Sequence, residues 1–272
     1  MVKINIRDKN FSGEPSSCHK GVNKYVEWEF NNIPVSKTCF ITDMCLGDVY
    51  KATGVKRKVA WILEPRAISP QVYQWIEQNN RLFDFVLTFD TKLIERGENF
   101  LYYPHGRCWI NNYVEIEKKN RTSIVASVKN HTEGHQLRHQ VIARLGDKID
   151  TYGSGYKPVD EKEEALSAYK FSITIENSIQ PGYWTEKIVD CFATKTIPIF
   201  WGDTSVNNYF NKDGIIYFNT VDELEKIIND ISLNGDKIYE DRIKAIEDNF
   251  KTVEQYRIPE DWIFKNYPLL FE

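Results

Sequence analysis

Residues 172–187, SITIENSIQPGYWTEK, gather side chains suited to holding an anionic ligand. A β-branched run ends in Glu176 and Asn177. A loop with Pro181, Gly182 and Tyr183 follows, and Thr185, Glu186 and Lys187 stand where a helix should begin. In α/β proteins such junctions bind phosphates, because first-turn N–H groups lack partners and the helix dipole favours negative charge. Thr185 is a good N-cap. Lys187 runs against the dipole, so Glu186 or a bound phosphate would offset its charge. By position alone, Lys187 also reads as a surface lysine on an amphipathic helix, and Asn177 as a turn cap.

The elements that must position these residues alternate regularly. VKINI, TCFITDM, KVAWILE and DFVLTF read as strands in the first part, with a helix over 69–80 between the last two. Ser69 would cap that helix and Pro70 fits its first turn. The second part repeats the pattern: TSIVASV, a helix from His135, KIDTYGSGY, a helix over 159–170, FSITIEN, a helix from Thr185, then TIPIFWG and GIIYF. The tail reads as helical to about Val253 and irregular beyond it. Strand–helix alternation predicts parallel sheets. The charged stretch 111–121 is the candidate linker. We expect an α/β chain of two Rossmann-like domains facing a central cleft, 1–117 and 118–272, with the C-terminal tail packing back on the first domain.

Bulk properties narrow the function. The 272 residues are 42% hydrophobic and 27% charged, as in ordinary globular chains, and the net charge of −4 argues against general nucleic-acid binding. Five irregularly spaced cysteines with no CxxC pair fit a reducing compartment, not a disulfide framework or zinc ribbon. The opening MVKINIRD reads as a strand, and no apolar run approaches a transmembrane length, so a cytoplasmic protein with no transmembrane segment is expected. His131, His135 and His139 are spaced for a metal face, but the helix is expected to start only near His135 and there is no HExxH. No metal site is expected. TYGSGY, 151–156, lacks the GK[ST] ending of a Walker loop.

The run YKFSITIENSIQPGYWTEKIVDCFATKTIPIFWGD resembles the signature segment of the α-1,3-fucosyltransferase family, closest to its bacterial members. The match rests on Lys170, Phe171, Glu176, Asn177, Ser178, Gly182, Tyr183, Thr185, Glu186, Lys187, Pro198 and Gly202, with the spacing intact. The resemblance implies a GT-B fold and an inverting transfer of L-fucose from GDP-fucose to a glycan acceptor. It implies that Lys187 contacts the donor diphosphate, that Glu186 contacts the ribose, and that Asn177 and Tyr183 line the donor pocket near Glu176. It places Arg138 at the phosphates, where a planar guanidinium can make paired hydrogen bonds, and TYGSGY near the guanine. The GDP-sugar is then a substrate, and no cofactor or metal is required. A bacterial or viral origin is expected.

An inverting transfer needs a general base for the acceptor hydroxyl. Glu64, at the end of KVAWILE with Pro65 stopping the strand, matches the family's catalytic glutamate. A strand-end carboxylate paired with Arg66 is the alternative reading of Glu64, and Asp43 is the next candidate base. Two other functions stay open: the same fold with another GDP-sugar, and a non-catalytic nucleotide-sugar binding module.

Overall fold

The computed structural model describes residues 1–11, 13–30 and 33–272. They divide into two compact units. The first holds Met1–Arg107, Gln180–Tyr183 and Gln255–Glu272; the second holds Cys108–Ile179 and Trp184–Glu254. Two short segments distant in sequence thus fold with the N-terminal part, so the units do not follow a single cut at 117/118.

The first unit is built on a six-stranded sheet: β1 (Val2–Arg7), β2 (Val26–Glu29), β3 (Thr38–Thr42), β4 (Arg57–Trp61), β5 (Phe85–Thr88) and β6 (Phe100–Tyr102). Every pairing is parallel, in the order β2-β1-β3-β4-β5-β6. Parallel strands are covered on both faces, which is why β3 and β4 read as unbroken apolar runs. Phe40, Val59 and Trp61 enter one core cluster. Cys39, Ile41 and Ala60 enter another, with Val72, Tyr73 and Ile76 of helix α1 (Pro70–Asn79). Helix α2 (Thr91–Ile94) is capped by Asp90, whose side chain accepts from Leu93 N.

β2 was not foreseen. Its four residues VEWE carry two glutamates, and it forms as the edge strand that pairs with β1 alone. The aromatic tail is also not irregular: Pro259–Asn266 forms a helix with Pro259 in its first turn and Glu260 and Asp261 at its negative-favouring end. Ile263, Leu270 and Phe271 complete the first unit's core, and Tyr25 stacks on Phe264 at 4.7 Å.

The second unit has a five-stranded sheet of β7 (Lys119–Val125), β8 (Ile149–Tyr152), β9 (Tyr169–Ile175), β10 (Ile197–Trp201) and β11 (Ile216–Tyr217). All are parallel, in the order β11-β10-β9-β7-β8. The connecting helices are α3 (Glu133–Leu145), α4 (Glu163–Leu166), α5 (Glu186–Ala193) and α6 (Val221–Glu240); α7 (Ile243–Tyr256) follows, and the tail helix is α8 (Pro259–Asn266). Phe171, Ile173 and Ile175 point alternately to one face, into the cluster with Val141 of α3 and Ile228 of α6. Two boundaries differ from expectation. The helix expected over 159–170 shrinks to α4, because Tyr169 and Lys170 already belong to the sheet. Of the expected linker, residues from Lys119 onward are strand.

Reading each sheet outward from its first strand, both units share the 2-1-3-4-5 order, whose reversal lies between the first and third strands. Loops at the carboxyl ends of those strands diverge there and leave room for a ligand. In the second unit those strands are β7 and β9.

Glu260 anchors α8 in the first unit. It is fully buried and accepts from Ser16 Oγ (3.1 Å), Ser17 N (2.6 Å) and Trp28 Nε1 (3.4 Å). Burial pushes its carboxyl above the usual range, a cost these donors counter. Glu260→Ala strands them all, and we expect a loss of about 3 kcal/mol in urea unfolding. A loss under about 0.5 kcal/mol would show that the tail is held by apolar packing alone.

Candidate active site

At the carboxyl end of β9, Ile175 is followed by Glu176, whose side chain is completely buried. Glu176 Oε1 accepts from Thr185 N (2.8 Å) and Thr185 Oγ1 (2.9 Å); Oε2 lies 3.3 Å from Lys187 Nζ. Thr185 caps α5 through its side chain, as its position suggested. Lys187 Nζ also meets Thr185 Oγ1 (2.9 Å) and Glu186 Oε1 (3.1 Å). The cation at the wrong end of the helix dipole is therefore offset by two carboxylates, one of them Glu186 as anticipated. Glu176, whose role the sequence left open, bonds the strand end to the helix start.

Helix α3 closes on the same point. Arg138 is buried; its Nε donates to Ile175 O (3.1 Å), and its Nη2 donates to Ile175 O and to Asn177 Oδ1 (3.1 Å). Gly134 N donates to Asn177 O (3.1 Å), and a Cβ at Gly134 would fall 1.7 Å from Glu176 O. Only glycine permits this approach of helix to strand end. Thr132 caps α3, which therefore starts at Glu133, two residues before the expected His135. His135 is buried beside it. Burial, then the charges of Arg138, His131, Lys129 and Lys187, hold its imidazole down to about 4. Burial is the larger cause, and the neighbouring cations add to it. His139 turns away to Tyr156 Oη (3.0 Å) and Lys129 O (2.9 Å). Among the described residues no group of three or more His, Cys, Asp or Glu could hold a metal.

The structure thus brings Arg138, Glu176, Asn177, Glu186 and Lys187 together, at the switch point of the second sheet. Tyr183 folds with the first unit. It is buried in the first unit, with ring centroids 5.3 Å from Phe89 and 5.5 Å from His105. Gly182 before it takes φ +85°, and a Cβ there would come within 2.3 Å of Phe89 O. Gln180 anchors the same segment, donating to Asp90 (3.0 Å) and accepting from Arg66 N (3.0 Å).

Glu64 follows β4 in the first unit, half-buried. The guanidinium of Arg66 pairs with Asp90 at 2.6 Å and Glu77 at 2.9 Å. Asp43, the second candidate base, is buried, and burial pushes it up to about 7.

Sequence reasoning missed a buried ion pair beneath Glu186. Asp190 of α5 is completely buried, Lys162 Nζ sits 2.6 Å from it, and Trp109 N donates to it at 2.7 Å. Lys162 also lies 4.0 Å from Glu186 Oε1 and over the Trp109 ring. Burial raises Asp190 to about 6 against the pull of Lys162. The available signal was an aspartate inside the apolar run Ile188, Val189, Cys191, Phe192.

Residues 116–241 match the model for glycosyltransferase family 10 (fucosyltransferase) C-term. The chain is 29% identical over 172 residues to the R654 protein of Acanthamoeba polyphaga mimivirus, covering 53% of the chain and 28% of that relative. It is 26% identical over 209 residues to mouse 4-galactosyl-N-acetylglucosaminide 3-α-L-fucosyltransferase 9 (67% of the chain, 56% of the relative). Over 62 residues it is 47% identical to the α-(1,3)-fucosyltransferase FucT of Helicobacter pylori (23% and 13%). The chain therefore spans little more than half the length of these relatives, or less. A crystal structure of an α1,3-fucosyltransferase with GDP-fucose superposes with TM-score 0.61 at 19% identity, covering 100% of this chain and 90% of that one. The fold is that of the GT-B glycosyltransferases. Within it, residues 116–241 are similar to the C-terminal domain of glycosyltransferase family 10, the fucosyltransferases.

Lys162→Met leaves Asp190 buried without its cation. We expect about 3 kcal/mol of destabilisation by urea unfolding, the usual cost of breaking a buried pair from one side. An unchanged midpoint would mean that the Trp109 N–H suffices for Asp190.

Proposed function

We propose that this protein is an inverting glycosyltransferase that transfers L-fucose from GDP-fucose to a hydroxyl of a glycan acceptor. The observation that carries this reading is the convergence of Arg138, Lys187 and the N-termini of α3 and α5 on the end of β9. Such a cluster suits a diphosphate, and the family match falls on the unit that holds it. In this reading the second unit binds the donor, and the 1–117 region selects the acceptor. Arg138 and Lys187 hold the diphosphate, Glu186 takes the ribose hydroxyls, and Asn177 lines the donor pocket; Tyr183, buried in the first unit's core, has no contact with the donor in this reading. Glu176 supports the pocket from below.

Glu64 is the proposed base. As the acceptor oxygen bonds to the anomeric carbon, its proton passes to the Glu64 carboxylate. The bond from that carbon to the β-phosphate oxygen breaks, and its electron pair leaves with GDP. Attack opposite the leaving group inverts the anomeric centre. Arg138 and Lys187 stabilise the charge building on the departing diphosphate, so the reaction needs no metal in this scheme.

The mouse relative's name supplies a first acceptor to try, a galactosyl-N-acetylglucosaminide. Glu64→Gln should lower transfer to it by about 10²–10⁴-fold while GDP affinity, read by calorimetry, stays within about twofold. Lys187→Met should weaken GDP by about tenfold or more. Wild-type turnover in the Glu64 variant would remove it as base. GDP binding without turnover by the wild type across a broad glycan panel would instead favour a binding module.

A further inference from the structure

The main chain at Glu64 is clamped from both sides within the first unit. β4 ends at Trp61, and Leu63 and Glu64 lie beyond it. Asp43, the first residue after β3, takes both of their N–H groups: Oδ1 accepts from Leu63 N at 2.7 Å and Oδ2 from Glu64 N at 3.1 Å. Asn10 Nδ2 donates to the same carboxylate at 2.9 Å. On the other side of the residue, Tyr73 Oη of α1 donates to Glu64 O at 2.8 Å. Tyr73 is itself fixed, 1% exposed, with the Arg66 guanidinium 4.4 Å above its ring. Pro65 restrains the next residue.

We propose that Asp43 is a positioning residue for the transfer, holding the strand-end backbone so that the Glu64 carboxylate is presented in one orientation to the acceptor hydroxyl. This rests on the reading of Glu64 as base. Two orphan N–H groups need only neutral acceptors, and an ionisable group in this place carries a desolvation cost. Burial, with a smaller contribution from the charge on Glu64, pushes Asp43 up to about 7. A carboxylate earns its place by spanning both N–H groups at once with two equivalent oxygens. An asparagine offers one oxygen and would turn its NH₂ toward a donor. Small errors in the orientation of a base are costly in rate without affecting ligand binding elsewhere.

The test uses the full chain, GDP-fucose and the galactosyl-N-acetylglucosaminide acceptor. Asp43→Asn should lower kcat by about 10²-fold, with KM for GDP-fucose and GDP affinity within about twofold of wild type. Because Asp43 acts through Glu64, adding Asp43→Asn to Glu64→Gln should cost less than about twofold more. Tyr73→Phe, which removes the bond to Glu64 O together with the hydroxyl's contact to Gln180, should lower kcat by about tenfold and serves if the Asp43 variant does not fold. If Glu64→Gln is inactive but Asp43→Asn or Tyr73→Phe keeps wild-type kcat, the positioning role is wrong and the base stands. A multiplicative loss in the double variant also overturns it. If Glu64→Gln is itself active, the base assignment falls and the positioning role falls with it.

Discussion

A single buried carboxylate organises the candidate site of the second unit. Glu176 ends β9 with no exposed surface, and burying an ion there costs several kcal/mol unless its oxygens are satisfied. They are satisfied by the first residues of the next helix: the N–H and hydroxyl of Thr185 and the ammonium of Lys187. The same contact thus caps α5, sets the entry of the chain into it, and fixes a lysine whose charge the helix dipole alone would repel. Gly134 then lets α3 approach the Glu176 carbonyl, which carries Arg138 to Ile175 and Asn177. Two cations and two helix N-termini meet because one strand end is held rigid.

The two units repeat one topology with opposite chemistry. Both carry their proposed site residues beyond the carboxyl ends of parallel strands, where the strand order reverses or close beside it. In the first unit that edge carries carboxylates: Asp8 after β1, Asp43 after β3, Glu64 beyond β4 and Asp90 after β5. In the second unit the corresponding edge carries Arg138, His135 and Lys187 beside Glu176 and Glu186, and burial together with the neighbouring cations keeps His135 neutral well below its ordinary range. An acidic edge suits proton abstraction and a basic edge suits a departing diphosphate, which is the division of labour proposed for the transfer.

The α/β class with parallel sheets was legible because doubly covered strands such as TCFIT and FSITI leave unbroken apolar runs, and the glycine- and threonine-bounded motif kept its spacing. Short-range chemistry was legible too: Thr185 as cap and Glu186 beside Lys187 both follow from neighbouring residue types. What the sequence did not show depends on contacts between distant segments. β2 is four residues of mixed polarity that pair, among the described strands, with β1 alone. Helix α8 forms on partners more than two hundred residues away, among them Ser16 and Ser17. Lys162 and Asp190 meet from separate elements, and Gln180–Tyr183 joins the first unit, with Tyr183 against Phe89 and His105, although the segments on either side of it belong to the second. No local periodicity encodes such pairings.

The central claim is that Glu176 builds the anion site without touching the ligand. Calorimetric titration of GDP into the Glu176→Gln variant tests it most directly. The amide keeps the volume but removes the charge that holds Lys187, and turns an NH₂ group toward donors. The account predicts a folded chain whose GDP affinity falls by about tenfold or more, equivalent to about 1.4 kcal/mol or more. GDP bound by that variant as tightly as by the wild type would contradict it.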